Sequence, residues 1–96
     1  MTGLTPRQIA EVKSVLADAF GLDAKVWLFG SRAAGQSLGD VDLYVETASS
    51  GPLTARLAAR RRLEAALHQK VDLVVRGGDE PATAFATLAR ETGVPL

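Results

Sequence analysis

The stretch WLFGSRAAGQSLGDVDLYVE, residues 27–46, decides the fold of this 96-residue chain. An apolar run ends at Gly30-Ser31, a spacer rich in turn residues follows, and residues 40–46, DVDLYVE, then alternate strictly between polar and apolar side chains. Because successive side chains on a β-strand point to opposite faces, this alternation predicts a strand with one apolar face.

The two faces of this strand differ in chemistry. Val41, Leu43 and Val45 form one face, and Asp40, Asp42, Tyr44 and Glu46 form the other. We expect the apolar face to pack on helices. The two aspartates are about 6–7 Å apart along the strand, and carboxylates that lean together come within reach of a shared ion.

Helices and strands are predicted on both sides of this stretch. Thr5-Pro6-Arg7-Gln8 has the form of a capping box with proline at the first helical position. The predicted elements are a helix over about 5–20, strands over 25–29 and 40–46, a helix over about 52–68, a strand over 71–75, and a helix that starts at Pro81 and ends at Gly93. The order α-β-β-α-β-α predicts an α/β (α+β) fold, with a small mixed sheet of three or slightly more strands, in a single domain over residues 1–96.

Composition excludes several classes of function. Eleven basic and eleven acidic residues give a net charge of zero, which argues against broad electrostatic binding to nucleic acid or anionic membrane. The chain has no cysteine, so it has no disulfide, thiolate zinc site or cysteine nucleophile. Its N-terminus is unlike a signal peptide and no run is apolar enough to span a membrane, so we expect a cytoplasmic protein. Neither a P-loop nor a dinucleotide-binding glycine motif is present.

The paired acids indicate a metal site. Two close ionised carboxylates repel each other unless a cation compensates them. Oxygen ligands without sulfur favour Mg²⁺ or Mn²⁺, and Mg²⁺ usually takes one or two protein carboxylates together with water and substrate phosphate oxygens. Gly30-Ser31 can hold those phosphates, because glycine lets backbone N–H groups approach an anion and serine adds a hydroxyl.

Asp72 is the charged residue in the apolar strand VDLVV, residues 71–75. A lone buried acid is costly unless it is paired or bound to metal. If this strand lies beside the strand of Asp40 and Asp42, the three carboxylates share one face. The third carboxylate can then hold a second metal ion or act as a general base.

With these residues the chain resembles the DNA-polymerase-β-type nucleotidyltransferase superfamily. The stretches VWLFGSRAAG, DVDLYVE and KVDLVV, and the size of the chain, are similar to the minimal nucleotidyltransferases, small prokaryotic proteins often paired with a HEPN-type toxin. The resemblance extends over roughly residues 7–76.

The resemblance implies transfer of a nucleoside monophosphate, AMP from ATP in the toxin-paired members, to a hydroxyl with Mg²⁺ or Mn²⁺ as cofactor. In those members the acceptor is a tyrosine of the toxin. The residues it assigns to the site are Gly30 and Ser31 for the phosphates, Arg32 as the nearest cation for the nucleotide, and Asp40, Asp42 and Asp72 for metal and catalysis.

Other interpretations of the same residues stay open. Gly30-Ser31 is also compatible with a plain turn, the acids with a solvated strand face, and Asp72 with an ion pair to an arginine of the second helix. The eight residues between Ser31 and Asp40 form a shorter spacer than is usual in the family. A shorter spacer is compatible with triphosphate binding, and equally with two alternatives, a degenerate antitoxin that acts by binding alone and a nucleotide-binding regulatory subunit. Homo-oligomers and hetero-oligomers are both compatible with the sequence.

The remaining motifs favour structural roles. Arg60-Arg61-Arg62, with Arg56 one turn earlier, is typical of a solvated helix face, with partner docking as the second interpretation. Trp27 and Phe29 are expected in the core, and His68 at an exposed helix end.

Overall fold

The computed structural model describes residues 3–30, 32–35, 39–48, 51–78, 80 and 83–96. Its elements are α1 (Pro6–Phe20), β1 (Lys25–Phe29), β2 (Val41–Thr47), α2 (Leu53–Leu67), β3 (Val71–Gly77), α3 (Ala84–Thr92) and β4 (Val94–Pro95). The predicted order α-β-β-α-β-α is confirmed, and a short fourth strand follows it. No helix of the described residues is both long and apolar enough to cross a membrane.

The four strands form one mixed sheet in the order β3-β2-β1-β4. β1 is antiparallel to β2 and to β4, whereas β2 and β3 are parallel. The helix α2 provides the long crossover that a parallel pair needs. β4 was not predicted, because a strand of two residues carries no periodicity to detect.

The predicted apolar face of β2 is confirmed. Val41, Leu43 and Val45 are fully buried, and they pack in one core with residues of α1 and α2. The capping box of α1 is present as predicted, with the Gln8 N–H donating to Thr5 Oγ1 at 3.1 Å and the Thr5 N–H donating to Gln8 Oε1 at 2.9 Å. This cap fixes where α1 begins, and therefore which of its side chains face the sheet.

The third helix differs from its prediction. It begins at Ala84 rather than at Pro81, because the Thr83 hydroxyl accepts a hydrogen bond from the Ala86 N–H at 3.0 Å and caps the helix there. Pro81 itself lies outside the described residues. Ala86 and Ala89 of α3 pack on Tyr44, with Trp27 and Phe29 beside them. The two aromatic residues of β1, which were expected in the core, are partly buried against this second cluster.

Candidate active site

Asp42 and Asp72 lie side by side on adjacent strands. They are register partners in the parallel pair of β2 and β3, so their Cα atoms are about 5 Å apart and their side chains point to the same face. The two carboxyl groups are close enough for Asp72 to raise the pKa of Asp42. The predicted convergence of these two acids is therefore present.

Several effects raise the pKa of Asp42. Burial raises the pKa of the Asp42 carboxyl above its usual value. Contact with the Asp72 side chain, and the negative charges of Asp72 and Asp40, raise the same pKa further. Among the described residues no ion pair joins Asp72 to an arginine of α2. The alternative that paired Asp72 with such an arginine is therefore not supported.

Gly30 borders the pair from the other side. Phe29 is the register partner of Asp42, so Gly30 follows directly where β1 ends beside the carboxylate. A Cβ atom on Gly30 would lie 2.5 Å from Asp42 Oδ2, and the backbone of Gly30 has a φ of +76°. Both facts require glycine at this position. Ser31, its predicted partner in phosphate binding, lies outside the described residues.

Asp40 stands slightly apart from the other two acids. It precedes β2 instead of belonging to it, and its Oδ2 lies 4.0 Å from Lys70 Nζ, with both side chains half exposed. Within the described residues no group of three His, Cys, Asp or Glu side chains is arranged to hold one metal ion. The structure thus brings together two of the three predicted ligands, and the charge of the third acts on Asp42.

Lys70 was not identified from the sequence. The Val41 N–H donates to the Lys70 carbonyl at 3.0 Å, so Lys70 precedes β3 at the level where Asp40 precedes β2. The parallel pairing of the two strands is the signal that would have revealed this neighbour.

Arg32, the predicted cation for the nucleotide, is buried among backbone and side-chain acceptors. Its side chain is 3% exposed. Its guanidinium donates to the Gly3 carbonyl at 3.0 Å, to the Gly39 carbonyl at 3.1 Å, and to Gln69 Oε1. These bonds join the N-terminal segment, the segment before β2 and the segment after α2. They give Arg32 a structural role, and its contact with a nucleotide stays a prediction.

A polar network closes the far end of the same sheet face. The Tyr44 hydroxyl donates to Glu46 Oε2 at 2.8 Å, and the same oxygen lies 3.4 Å from Arg76 Nη1 and 3.5 Å from Arg90 Nε. Tyr44 is 1% exposed, and burial raises the pKa of its hydroxyl. Tyr44 and Glu46 therefore lie beneath α3, and the acids lie beyond it.

The arginines of α2 contact residues of α1, α2 and β3. Arg62 pairs with Asp18 at 3.1 Å, and Arg60 pairs with Glu64 at 3.7 Å. Arg61 is exposed. The exposure of Arg61 and Arg62 fits the predicted solvated helix face, whereas Arg56 and Arg60 are half-buried.

The carboxylate pair has the chemistry of a divalent-cation site. Its donor atoms are oxygens. The pKa of Asp42 is raised, and a bound cation would lower it. The missing side chain of Gly30 leaves room for the Asp42 carboxylate, whose Oδ2 lies where a Cβ would be crowded. Because Mg²⁺ commonly takes only one or two protein carboxylates, the pair is enough for it.

Comparison with protein families identifies the chain. A model of the nucleotidyltransferase domain matches residues 9–90, which contain every described carboxylate of the site. This chain belongs to the nucleotidyltransferase domain family. Comparison with curated proteins finds no match.

Solved structures confirm the nucleotidyltransferase fold. A mutant of the toxin–antitoxin pair MntA–HpeT is 27% identical with a TM-score of 0.76, over 97% of this chain and 72% of that chain. A structure assigned to the minimal nucleotidyltransferases is 26% identical with a TM-score of 0.71, over 94% and 89% of the two chains. A chain in the complex of a tri-AMPylated Shewanella oneidensis HEPN toxin with an MNT antitoxin is 24% identical to this one. The match has a TM-score of 0.72 and covers 93% of this chain and 68% of that chain. The α-β-β-α-β-α order with a mixed sheet is thus that of the minimal nucleotidyltransferases.

Proposed function

We propose that this nucleotidyltransferase transfers AMP from ATP to a hydroxyl of a HEPN-type toxin and so acts as its antitoxin. The observation that carries the proposal is the adjacency of Asp42 and Asp72 at the edge of Gly30. The toxin as partner is supported by the similarity to two toxin–antitoxin complexes, in one of which the HEPN toxin is AMPylated.

Each described residue of the site has a role in this reaction. Asp42 and Asp72, with Asp40 beside them, would hold Mg²⁺ or Mn²⁺, which supplies charge neutralisation at the phosphates when it is bound. Gly30 lets the nucleotide phosphates approach the end of β1 without a side chain in the way. Ser31, which follows it, is proposed to donate its hydroxyl to the same phosphates.

The transfer itself makes one bond and breaks one. The acceptor oxygen bonds to the α-phosphorus, the bond from that phosphorus to the bridging oxygen of the β-phosphate breaks, and pyrophosphate leaves with the electron pair. Asp72 is the exposed member of the carboxylate pair. We propose that it accepts the proton of the attacking hydroxyl, because it is the carboxylate that an acceptor entering from solvent reaches first.

The test is an incubation of the purified protein with its toxin, ATP labelled on the α-phosphate, and Mg²⁺. We expect label on the toxin with the wild-type chain, and a loss of at least 100-fold in rate with Asp42→Asn or Asp72→Asn. Asp18→Asn is the matched control, since Asp18 is an exposed carboxylate whose contact is with Arg62 on another surface. Label that persists in Asp42→Asn would refute the site.

The same assay separates the binding-only alternative from the enzyme. If Asp42→Asn neutralises toxicity as well as the wild type does, without labelling the toxin, the protein acts by complex formation. Intact mass of the toxin after co-expression gives an independent readout, because each transferred AMP adds a fixed mass.

A further inference from the structure

The guanidinium of Arg32 bridges the two segments that lead into the paired acids. Its Nη2 donates both to the Gly39 carbonyl, at 3.1 Å, and to Gln69 Oε1. Gly39 lies three positions before Asp42, and Gln69 lies three positions before Asp72. Because Asp42 and Asp72 are register partners in the parallel pair, a single nitrogen atom joins equivalent points of the two segments.

The backbone of Arg32 is held as firmly as its side chain. Nη1 donates to the Gly3 carbonyl at 3.0 Å, and the Gly3 N–H donates to the Arg32 carbonyl at 2.8 Å. The Gly35 N–H donates to the same carbonyl at 3.1 Å. Arg32 follows Gly30 by two positions, so these bonds fix the turn after β1 relative to the starts of β2 and β3.

The bonds of Arg32 do not neutralise the acids. Its three acceptors are uncharged oxygens, and no ion pair joins it to a carboxylate in the described ranges of the chain. Its Nε is also buried without a hydrogen-bond partner there. A buried cation with no carboxylate partner costs stability. These contacts therefore favour a role in spacing the two segments over a role in offsetting their charge.

We propose that Arg32 is a positioning residue, which holds the Asp42 and Asp72 carboxylates at the separation that one divalent cation requires. This inference rests on the metal site of the proposed function. Mg²⁺ demands near-ideal octahedral geometry with oxygen ligands at about 2.0–2.1 Å, so a small shift of one ligand relative to the other weakens its binding. Changes in residues that orient metal ligands commonly lower metal affinity by about 10–100-fold.

The shape of the guanidinium matters to this role as well as its charge. Arginine presents donors on two nitrogens in a rigid planar fork, whereas lysine presents one nitrogen on a flexible stem. Arg32→Lys therefore keeps the positive charge and removes the fork that joins Gly3, Gly39 and Gln69. A change in metal binding by this variant reports on geometry, because the net charge of the protein is unchanged.

Mn²⁺ titration of the purified protein without nucleotide tests the proposal. Free Mn²⁺ is followed by electron paramagnetic resonance, at a temperature where circular dichroism shows that each variant is folded. We expect the Kd for Mn²⁺ to rise at least ten-fold in Arg32→Lys. Because no nucleotide is present, a direct contact between Arg32 and a nucleotide does not account for such a change.

Thr47→Ala is the matched control for a loss of stability. Thr47 is 6% exposed, and its Oγ1 donates to the Phe20 carbonyl at 3.0 Å, at the end of β2 away from the acids. This variant also removes a buried hydrogen bond, and we expect its Kd for Mn²⁺ to equal that of the wild type. An equal rise of Kd in Thr47→Ala and Arg32→Lys would overturn the proposal, because the effect would then follow from stability alone.

Gln69→Ala tests the same bridge from its other end and decides the proposal if Arg32→Lys does not fold. Gln69 is half-buried and lies between α2 and β3, so its truncation removes one anchor of the guanidinium. We expect the Kd for Mn²⁺ to rise at least about three-fold. A Kd equal to that of the wild type in either variant would overturn the positioning role and leave the metal site in place. A wild-type chain that does not bind Mn²⁺ would refute the metal site of the proposed function, and the positioning role with it.

Discussion

Gly30 and Asp42 are in such close contact that a single added methyl group on Gly30 would lie 2.5 Å from Asp42 Oδ2. We predict that Gly30→Ala displaces the Asp42 carboxylate and abolishes nucleotide transfer. The backbone φ of +76° adds a loss of about 1–2 kcal/mol in the free energy of unfolding. Urea denaturation and the transfer assay measure the two effects separately.

Gly51→Ala is the control for that variant. Gly51 also has a positive φ, of +67°, but an added Cβ there meets only the Ala55 Cβ, at an ordinary distance of 3.8 Å. We expect a similar loss of stability and no loss of transfer. Equal loss of activity in both variants would show that backbone strain, not the Asp42 contact, is responsible.

Asp42→Asn is predicted to stabilise the folded protein at neutral pH in the absence of divalent ions. The pKa of Asp42 is raised in the folded state, so the unfolded chain ionises first and the stability of the wild type falls as the pH rises above the ordinary value of 3.8. The difference in the free energy of unfolding between Asp42→Asn and the wild type is therefore absent well below that pH. It grows as the pH rises and becomes constant once the folded-state carboxyl has ionised. Urea denaturation between pH 3 and pH 8 measures it, and an advantage that shrank with rising pH would contradict the assigned cause.

Mg²⁺ is predicted to make the wild type more stable than Asp42→Asn. A ligand that binds only the folded state stabilises it by mass action. We expect the Tm of the wild type to rise with Mg²⁺ concentration and the Tm of Asp42→Asn to stay constant. If neither Mg²⁺ nor Mn²⁺ changes the Tm of the wild type, the metal site is not supported.

Arg32→Ala is predicted to lower the free energy of unfolding by about 2–4 kcal/mol. Hydrogen bonds to a charged group contribute about 1.5–3 kcal/mol, and their loss leaves buried acceptors without a donor. The buried guanidinium donates to two backbone carbonyls and to Gln69. Arg61→Ala, an exposed arginine of α2, is the comparison and is expected to change stability little. Equal stability of the two variants, measured by thermal denaturation, would refute the structural role of Arg32.

His68→Gly is predicted to stabilise the protein by about 1 kcal/mol, or about 4–8 °C in Tm for a domain of this size. His68 ends α2 with φ 55° and ψ 37°, a left-handed conformation that glycine adopts without steric cost. Differential scanning calorimetry checks the shift, and a decrease in Tm would show that the imidazole stabilises the helix end through a contact of its own.

Some parts of the site could be predicted from the sequence because they depend on local geometry. The alternation of DVDLYVE sets which side chains of β2 share a face, and the Thr5–Gln8 capping box sets where α1 begins. Arg32 could not be predicted in the same way. Its partners Gly3, Gly39 and Gln69 are 29, 7 and 37 positions away along the chain, so no short window of sequence contains the contacts that bury it.

The sequence by itself determined the period of each element, and with it the apolar and acidic faces of β2. Only the tertiary structure decided that β3 lies parallel to β2 with Asp72 beside Asp42, and that α3 covers Tyr44 but not the acids. The physical reason is that side-chain direction follows from the local backbone, whereas strand pairing and helix placement depend on burial summed over residues distant in the chain.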